Sequence, residues 1–328
     1  MAQRPEGALR DGERLEGAPQ DTQPPPVRPP RRVGRAAERS RGYLPYLVPG
    51  VVLFVAVIAV PLVMNVGISF TKWQGVGEPD WVGWRQYQKL LTDETFWLSF
   101  RNNLALIVAM AIIPTFLGLL LATALFDVVS KRHPRTTTTL RAAFYLPQVL
   151  PAVVAGVVWG WILHPEYGAM NALLRLVGLD SWAHDWLGDE KTALLSVMGV
   201  LVWIQIGYPL VIFMAGLQRV DPQLYEAAAL DGASWWRRLW SVTVPQIRQE
   251  IFVVLLTCTI AALKSFDKIF VLTKGGPGGS TLTPAYFSWQ NFFDKFNVGY
   301  GAAIATVLAA IIVGLSFLFL RAQNREES

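Results

Sequence analysis

Long apolar stretches separated by short polar loops make up most of the chain after residue 43. A helix that crosses a bilayer needs about 20 predominantly apolar residues. We therefore predict an all-α polytopic membrane protein with six transmembrane helices within residues 43–320. The six predicted spans are Leu44–Phe70, Asn102–Phe126, Ala142–Leu163, Ala193–Leu217, Ile251–Thr273 and Tyr300–Leu320.

The two ends of the chain depart from this pattern. Residues 1–42 are rich in Pro, Arg, Gly and Glu, a composition that predicts a disordered tail. Residues 321–328 form a short charged tail. The arginines before the first apolar stretch could also belong to a signal peptide, but that stretch is long and has no clear small-residue cleavage site. We interpret it as an uncleaved first span.

The basic residues predict the orientation in the membrane. Most of the 29 Lys and Arg residues lie in the N-terminal tail, the Asp127–Arg141 loop, the polar stretch after the fourth span and the C-terminal tail. Short loops rich in Lys and Arg stay on the cytoplasmic side. Because six spans bring both termini to one side, we predict that both termini are cytoplasmic in the inner or plasma membrane, with lipid around the spans.

Composition excludes several classes of protein. The chain is 52% hydrophobic and only 16% charged, whereas soluble domains carry about 25% charged residues. The net charge of +5 does not indicate nucleic-acid binding, because the basic residues flank apolar stretches. Cys258 is the single cysteine, and the three histidines share no helical spacing. We therefore predict no intramolecular disulfide, no metal site and no cofactor.

The stretch Asp221–Pro245 is the longest polar interruption in the second half of the chain. Asp221 and Ser234 are good N-cap residues for two short helices. Gly232 lies between these helices and can adopt the left-handed conformation that ends the first one. Pro245 is expected to end the second helix.

This stretch resembles the EAA loop of ABC importer permeases. That pattern is E-A-A, three residues, Gly, nine residues, then I-x-L-P, and here only Val242 and Val244 depart from it. The resemblance implies a cytoplasmic coupling helix that docks on an ATPase subunit. The alternative is an ordinary amphipathic pair of surface helices. The expected coupling residues are Glu226, Ala227, Ala228, Asp231, Gly232 and Pro245.

The fifth predicted span is interrupted by charge. Its apolar part, Ile251–Leu263, is too short to cross a bilayer, and Lys264, Asp267 and Lys268 follow it. Lys264 and Asp267 have the i, i+3 spacing of an ion pair on a helix. Charges inside a membrane usually face a cavity or a partner, and interrupted spans mark transporter sites. A purely structural ion pair is the alternative.

The fourth predicted span carries aromatic and polar residues suited to a sugar. Sugars bind to aromatic faces with a few polar groups around them, although lipid-facing or packed aromatic residues are the alternative. Together with the fifth span, this predicts a substrate pathway. Its expected residues are Trp203, Gln205, Gly207, Tyr208, Lys264, Phe266 and Asp267.

No motif in the chain predicts nucleotide binding or catalysis. The glycine-rich segment Lys274–Ser280 lacks the lysine and the helix context of a phosphate-binding loop. If transport uses ATP, another subunit must bind it. The chain is therefore predicted to be a transporter subunit and not an enzyme.

The segment Ser265–Pro277 resembles the F-D-x-I-x-x-L-T-x-G-G-P motif of the sugar-importing branch of ABC permeases. Segments Trp81–Tyr87, Tyr145–Pro147 and Ala215–Gln218 resemble other motifs of that branch. The resemblance implies a second homologous permease, a dimer of ATPase subunits and an extracytoplasmic sugar-binding protein, working by alternating access. It does not identify the sugar.

Two other classes of function remain open at this stage. A secondary transporter would need no ATPase and would couple transport to an ion through Lys264 and Asp267. A membrane-embedded transferase would need clustered acid, base or metal-ligand side chains at a membrane face, and the sequence has no obvious cluster of this kind.

Overall fold

A computed structural model describes residues 44–126 and 134–326. The predicted disordered tail, residues 1–42, lies outside the described residues, as does part of the basic loop before residue 134. The described part is mostly helical, as predicted, with one two-stranded hairpin. The last helix continues to Glu326, beyond the boundary predicted at Leu320.

The first half of the described chain contains six helices and the hairpin. The hairpin pairs Thr71 with Trp81 and Lys72 with Asp80 in antiparallel register. Short π-helical segments, Val55–Ala59 and Val108–Ile112, continue α1 into α2 and α4 into α5. In chain order the elements are α1 Leu44–Phe54, α2 Val60–Ile68, β1 Thr71–Lys72, β2 Asp80–Trp81, α3 Arg85–Thr92, α4 Glu94–Ile107, α5 Ile113–Ala124 and α6 Pro134–Val149.

The second half of the described chain contains eleven more helices. A 3-10 turn lies at Asp180–Trp182, and π-helical segments lie at Leu239–Thr243 and Gln290–Asp294. The helices are α7 Ala152–Ile162, α8 Ala169–Leu176, α9 Ala193–Gln205, α10 Gly207–Leu217, α11 Pro222–Leu230, α12 Trp235–Arg238, α13 Val244–Gln246, α14 Arg248–Leu263, α15 Asp267–Leu272, α16 Pro284–Trp289 and α17 Val298–Glu326.

Four helical stretches of the described chain are long and apolar enough to cross a membrane. They are Tyr46–Ile68, Glu94–Ala124, Ala193–Leu217 and Val298–Gln323. Two further helix pairs qualify if each bent pair is counted as one span. These are Arg135–Val149 with Ala152–Ile162, bent by 96°, and Trp235–Gln246 with Arg248–Leu263, bent by 78°. Residues 44–126 and 134–326 therefore contain four to six candidate spans.

The stretch Thr71–Arg101 between the first two predicted spans is not a simple loop. It contains the hairpin, α3 and the start of α4, so the second apolar helix begins at Glu94 and not at Asn102. Asp93 starts α4 by accepting hydrogen bonds from the Thr95 and Phe96 amides. Polar residues here are no sign of a loop, because Asn102 is buried and donates to the Gly279 and Leu282 carbonyls.

Close contacts between helices position the later functional elements. Gly118 of α5 lies against Pro209 of α10, and a Cβ at this position would clash with that proline. Large side chains fill the interior around these contacts, with Phe213, Leu210 and Leu217 fully buried. Dense packing of this kind holds α10 rigidly, and the polar stretch Asp221–Pro245 follows directly from its end.

Candidate functional site

Two short helices form the polar stretch after α10, as the sequence predicts. The Asp221 carboxylate accepts a hydrogen bond from the Gln223 amide (2.9 Å) at the start of α11. The Ser234 hydroxyl accepts one from the Arg237 amide (3.4 Å) at the start of α12. Each cap satisfies an amide that the helix leaves unpaired, so both helices begin where these residues stand. Both N-cap predictions are confirmed.

The turn between α11 and α12 is a Schellman motif built on Gly232. This residue has a φ of +70°, which confirms the predicted left-handed conformation. The Ala233 amide donates to the Ala228 carbonyl (3.0 Å), and the Gly232 amide donates to the Ala229 carbonyl (3.1 Å). These two bonds are the pattern that closes a helix at a left-handed glycine. The turn therefore fixes the angle between the two helices.

One polar contact lies within this polar stretch, and a second joins the two helices that flank it. The Tyr225 hydroxyl lies 3.2 Å from the Thr243 hydroxyl, which joins α11 to the segment after α12. Arg219, just after α10, forms an ion pair with Glu250 of α14. The prediction that the second helix ends at Pro245 is wrong. Pro245 lies inside α13, and the chain bends one residue after Gln246.

The outer side of the helix pair is exposed. Leu230 is 90% exposed, and Trp236 and Trp240 are more than half exposed. Glu226 is exposed at the mouth of a cavity of about 240 Å³, together with Arg238. The Arg238 Nε is buried and has no hydrogen-bond partner. This surface combines apolar side chains with a free carboxylate, a composition suited to binding another protein.

The predicted pathway residues of the fourth span face three different surroundings. Trp203 packs edge-on against Trp159 (5.4 Å between ring centroids) and lines a cavity of about 340 Å³ beside α6. Gly207 lies against the Phe144 carbonyl, so a Cβ there would clash with the backbone. Tyr208 is half-buried against the hydrophobic core. Of these three residues, Trp203 lines the cavity beside α6.

Gln205 is buried and turned toward another helix. Its Nε2 donates to the Sγ of Cys258 on α14 (3.1 Å). This contact satisfies a polar side chain inside the protein and joins α9 to α14. In this conformation Gln205 holds two helices together.

The predicted ion pair between Lys264 and Asp267 does not form. Helix α14 ends at Leu263, so Lys264 lies at its C-cap and not on a continuous helix with Asp267. Asp267 begins the next helix, α15, and its carboxylate pairs with Lys268 instead (3.2 Å). Lys264 is exposed. The i, i+3 argument failed because it assumed an unbroken helix.

An aromatic cleft lies beside this ion pair. Phe266 packs against Trp289 (5.7 Å between ring centroids), and Trp289 packs against Phe293 (5.8 Å). The cleft has a volume of about 360 Å³. Its lining residues are Phe266, Ala285, Ser288, Trp289, Phe292 and Phe293.

Sequence reasoning missed every residue of this cleft except Phe266. A signal was present: Thr283 is an N-cap residue before Pro284, and its hydroxyl accepts a hydrogen bond from the Tyr286 amide. Aromatic residues then recur at helical spacing. Trp203 and Phe266 line two separate cavities, so the predicted pathway residues are not gathered in one place.

The described residues offer no place for a metal ion. Among residues 44–126 and 134–326, no group of three His, Cys, Asp or Glu side chains is arranged to hold one.

Comparison with known proteins gives a consistent result. The chain is 36% identical to a probable ABC transporter permease of Pyrococcus horikoshii, over 86% of this chain and 96% of that protein. It is 31% identical to the diacetylchitobiose uptake system permease of Streptomyces coelicolor, over 89% and 85%. It is 29% identical to the trehalose/maltose permease of Thermococcus litoralis, over 87% and 94%.

A solved structure has the same fold. One chain of a bacterial ABC transporter that imports the acidic polysaccharide alginate superimposes with a TM-score of 0.75 at 20% identity, covering 88% of this chain and 97% of that chain. Residues 115–325 match the family described as binding-protein-dependent transport system inner membrane component. The chain, a multi-pass membrane protein, belongs to this family.

Proposed function

We propose that the chain is the permease subunit of an ATP-binding-cassette importer that brings a sugar into the cell. The observation that carries the proposal is the similarity, over most of the chain, to permeases of sugar transport systems. These relatives transport diacetylchitobiose in Streptomyces coelicolor, trehalose and maltose in Thermococcus litoralis, and several sugars in Streptococcus mutans. They are transport subunits, so ATP hydrolysis belongs to a partner chain.

In this proposal the helix pair α11–α12 is the coupling segment that docks on an ATPase subunit. The exposed Leu230 and Trp236 supply apolar contact, and Glu226 supplies a carboxylate for charge-assisted hydrogen bonds. The turn at Gly232 makes the pair rigid. The Arg219–Glu250 ion pair supports transmission of movement from this segment to α14.

The sugar would pass along the aromatic cleft beside Asp267. Phe266, Trp289 and Phe293 offer ring faces for the apolar side of a sugar. The Asp267–Lys268 ion pair is partly exposed and offers groups that hydrogen-bond to hydroxyls. A mostly apolar cleft with one charged pair suits a neutral sugar better than a strongly charged one.

Six spans with both termini in the cytoplasm complete the proposed topology, with α6 and α7 in the third span and α14 and α15 in the fifth. Cysteines introduced at Ser241 and at Ser181, both exposed, test the orientation. Cys258 is fully buried, so background labelling is low. A membrane-impermeant thiol reagent should label the Ser181→Cys variant in intact cells with any outer layer permeabilised, and the Ser241→Cys variant only after lysis. The reverse pattern would contradict the orientation.

A reconstituted complex tests the function. The chain is assembled in vesicles with a second permease, a dimer of ATPase subunits and the extracytoplasmic binding protein, which is first screened against trehalose, maltose and diacetylchitobiose by thermal shift. Glu226→Ala should lower sugar-stimulated ATP hydrolysis by about tenfold or more, because a hydrogen bond to a charged group contributes ~1.5–3 kcal/mol. Glu166→Ala, an exposed control on the opposite predicted side, should retain it.

The same assay distinguishes an ATP-driven importer from a secondary transporter. Sugar uptake that needs no ATPase subunit and follows an imposed ion gradient would reject the importer and favour a secondary transporter. Loss of ATP hydrolysis in the Glu166→Ala control as well would show that the Glu226→Ala effect is not specific to the coupling segment.

A further inference from the structure

A second cavity lies away from the coupling segment and the aromatic cleft. It has a volume of about 330 Å³ and forms where the β1–β2 hairpin, α3 and the start of α17 meet. Its walls are polar, basic and aromatic. The lining residues are Lys72, Trp73, Gln74, Val82, Arg85, Gln86, Lys89, Asn297 and Tyr300.

The walls of this cavity are held together by contacts between distant parts of the chain. The Gln86 Nε2 donates to the Thr71 carbonyl (2.9 Å), which attaches α3 to the hairpin. The Gly299 amide donates to the Trp73 carbonyl (3.4 Å), which attaches the hairpin to α17. Gly299 lies so close to the Thr71 carbonyl that a Cβ would clash with it. The cavity is therefore part of the folded structure.

Three cations on this cavity lack an anionic partner. Lys72, Arg85 and Lys89 are exposed, and none forms an ion pair with a carboxylate of the described residues. Lys89 lies over the Tyr300 ring, with its Nζ 4.2 Å from the ring centroid. No carboxylate lines the cavity. Asp80 lies opposite Lys72 in the hairpin, so Arg85 and Lys89 leave the cavity with a net positive charge that attracts an anion.

The nearby Asp93 does not supply that anion. Its carboxylate accepts a hydrogen bond from the Tyr300 hydroxyl (2.6 Å) and caps α4. Burial raises the pKa of this carboxyl, but the hydrogen bonds from Tyr300 and from the Thr95 and Phe96 amides outweigh burial and lower it. The Asp93 carboxylate is thus engaged by the Tyr300 hydroxyl and by the first amides of α4.

The position of the cavity indicates the source of the anion. Candidate spans end at Ile68 and begin at Val298, so the cavity lies at the surface of the membrane. Trp81 and Trp84, next in sequence to the lining residues Val82 and Arg85, are exposed, as expected of tryptophans at the lipid headgroups. Helix α2 leads directly into the hairpin and carries exposed apolar side chains such as Val63, against which acyl chains can lie.

We propose that this cavity binds the phosphate of an anionic phospholipid headgroup. Arg85, Lys72 and Lys89 pair with the phosphate oxygens, and the amides of Gln86 and Asn297 hydrogen-bond to the rest of the headgroup. The acyl chains lie along α2. The inference does not depend on sugar transport.

The test compares matched charge variants of the full chain in detergent. Thermal unfolding is measured with phosphatidylcholine alone and with increasing phosphatidylglycerol. Phosphatidylglycerol should stabilise the wild type and Arg175→Gln, an exposed control outside the cavity. Each lost cation should weaken this stabilisation about fivefold in lipid concentration, so Lys72→Gln/Arg85→Gln/Lys89→Gln should weaken it about a hundredfold.

Unchanged dependence on phosphatidylglycerol in the triple variant overturns the proposal. Equal stabilisation of the wild type by inorganic phosphate or sn-glycerol 3-phosphate overturns the lipid as the source of the phosphate. Unfolding in phosphatidylcholine alone checks that the triple variant is folded. If it is not, Arg85→Gln and Lys89→Gln are measured singly against Arg175→Gln, with the same two decisive outcomes.

Discussion

We expect Gly232→Ala to weaken the turn between α11 and α12 by about 1 kcal/mol. A non-glycine residue in the left-handed region costs about 1–2 kcal/mol, and the loss of freedom in the unfolded chain offsets about 0.4–1 kcal/mol of this. A Cβ at Gly232 meets no atom within 4 Å, so the backbone conformation alone carries the cost. One kcal/mol corresponds to a roughly fivefold change in the population of the turn.

A series of substitutions separates backbone strain from loss of packing. Gly232→Asn should cost least, since Asn tolerates the left-handed region, and Gly232→Val should cost most, because its side chain is β-branched. Gly314→Ala is the matched control. It also has no atom within 4 Å of an added Cβ and has no positive φ. It should be neutral or stabilise the helix by up to about 1 kcal/mol.

Hydrogen exchange of the amides of residues 228–238 is the direct measurement. The Gly232 and Ala233 amides donate the two hydrogen bonds of the turn, so their exchange should be about fivefold faster in Gly232→Ala. Binding of the ATPase subunit should weaken in the order Asn, Ala, Val. Wild-type exchange in Gly232→Ala, or a valine variant milder than the alanine variant, would refute the assignment of strain to this glycine.

Three further predictions follow from local geometry. Gly207→Ala should destabilise the protein by about 1–3 kcal/mol through overpacking, whereas Gly199→Ala, with open space around its Cβ, should not; equal melting temperatures would contradict this. Asp267→Asn should impair sugar uptake in an intact complex, but recovery on adding Lys268→Met would show that the ion pair is only structural. Asp93→Ala should lower the free energy of unfolding by about 1 kcal/mol at pH 7. Because the folded-state pKa of Asp93 is lowered, this difference should shrink as pH falls below about 4. A pH-independent difference would refute the role of the carboxylate.

The sequence by itself determined the local features of this protein. The lengths of the apolar stretches predicted helices that can span a membrane, because the bilayer core sets one required length. Asp221 and Gly232 predicted the two ends of α11 correctly, and Ser234 predicted the start of α12. Helix caps and left-handed turns depend on atoms a few residues apart, so the neighbouring sequence is sufficient to specify them.

Only the tertiary structure decided which distant residues meet. The helix ends at Leu263, so Asp267 pairs with Lys268 and not with Lys264. The spacing of residues in the sequence does not reveal this helix end. Gln205 donates a hydrogen bond to Cys258, which is 53 residues away in the sequence. This predicted pathway residue therefore joins two helices. The aromatic cleft and the basic cavity likewise join segments far apart in the chain. These contacts form because protein interiors are closely packed with few voids. Close packing depends on several segments together, so the sequence of one segment does not predict it.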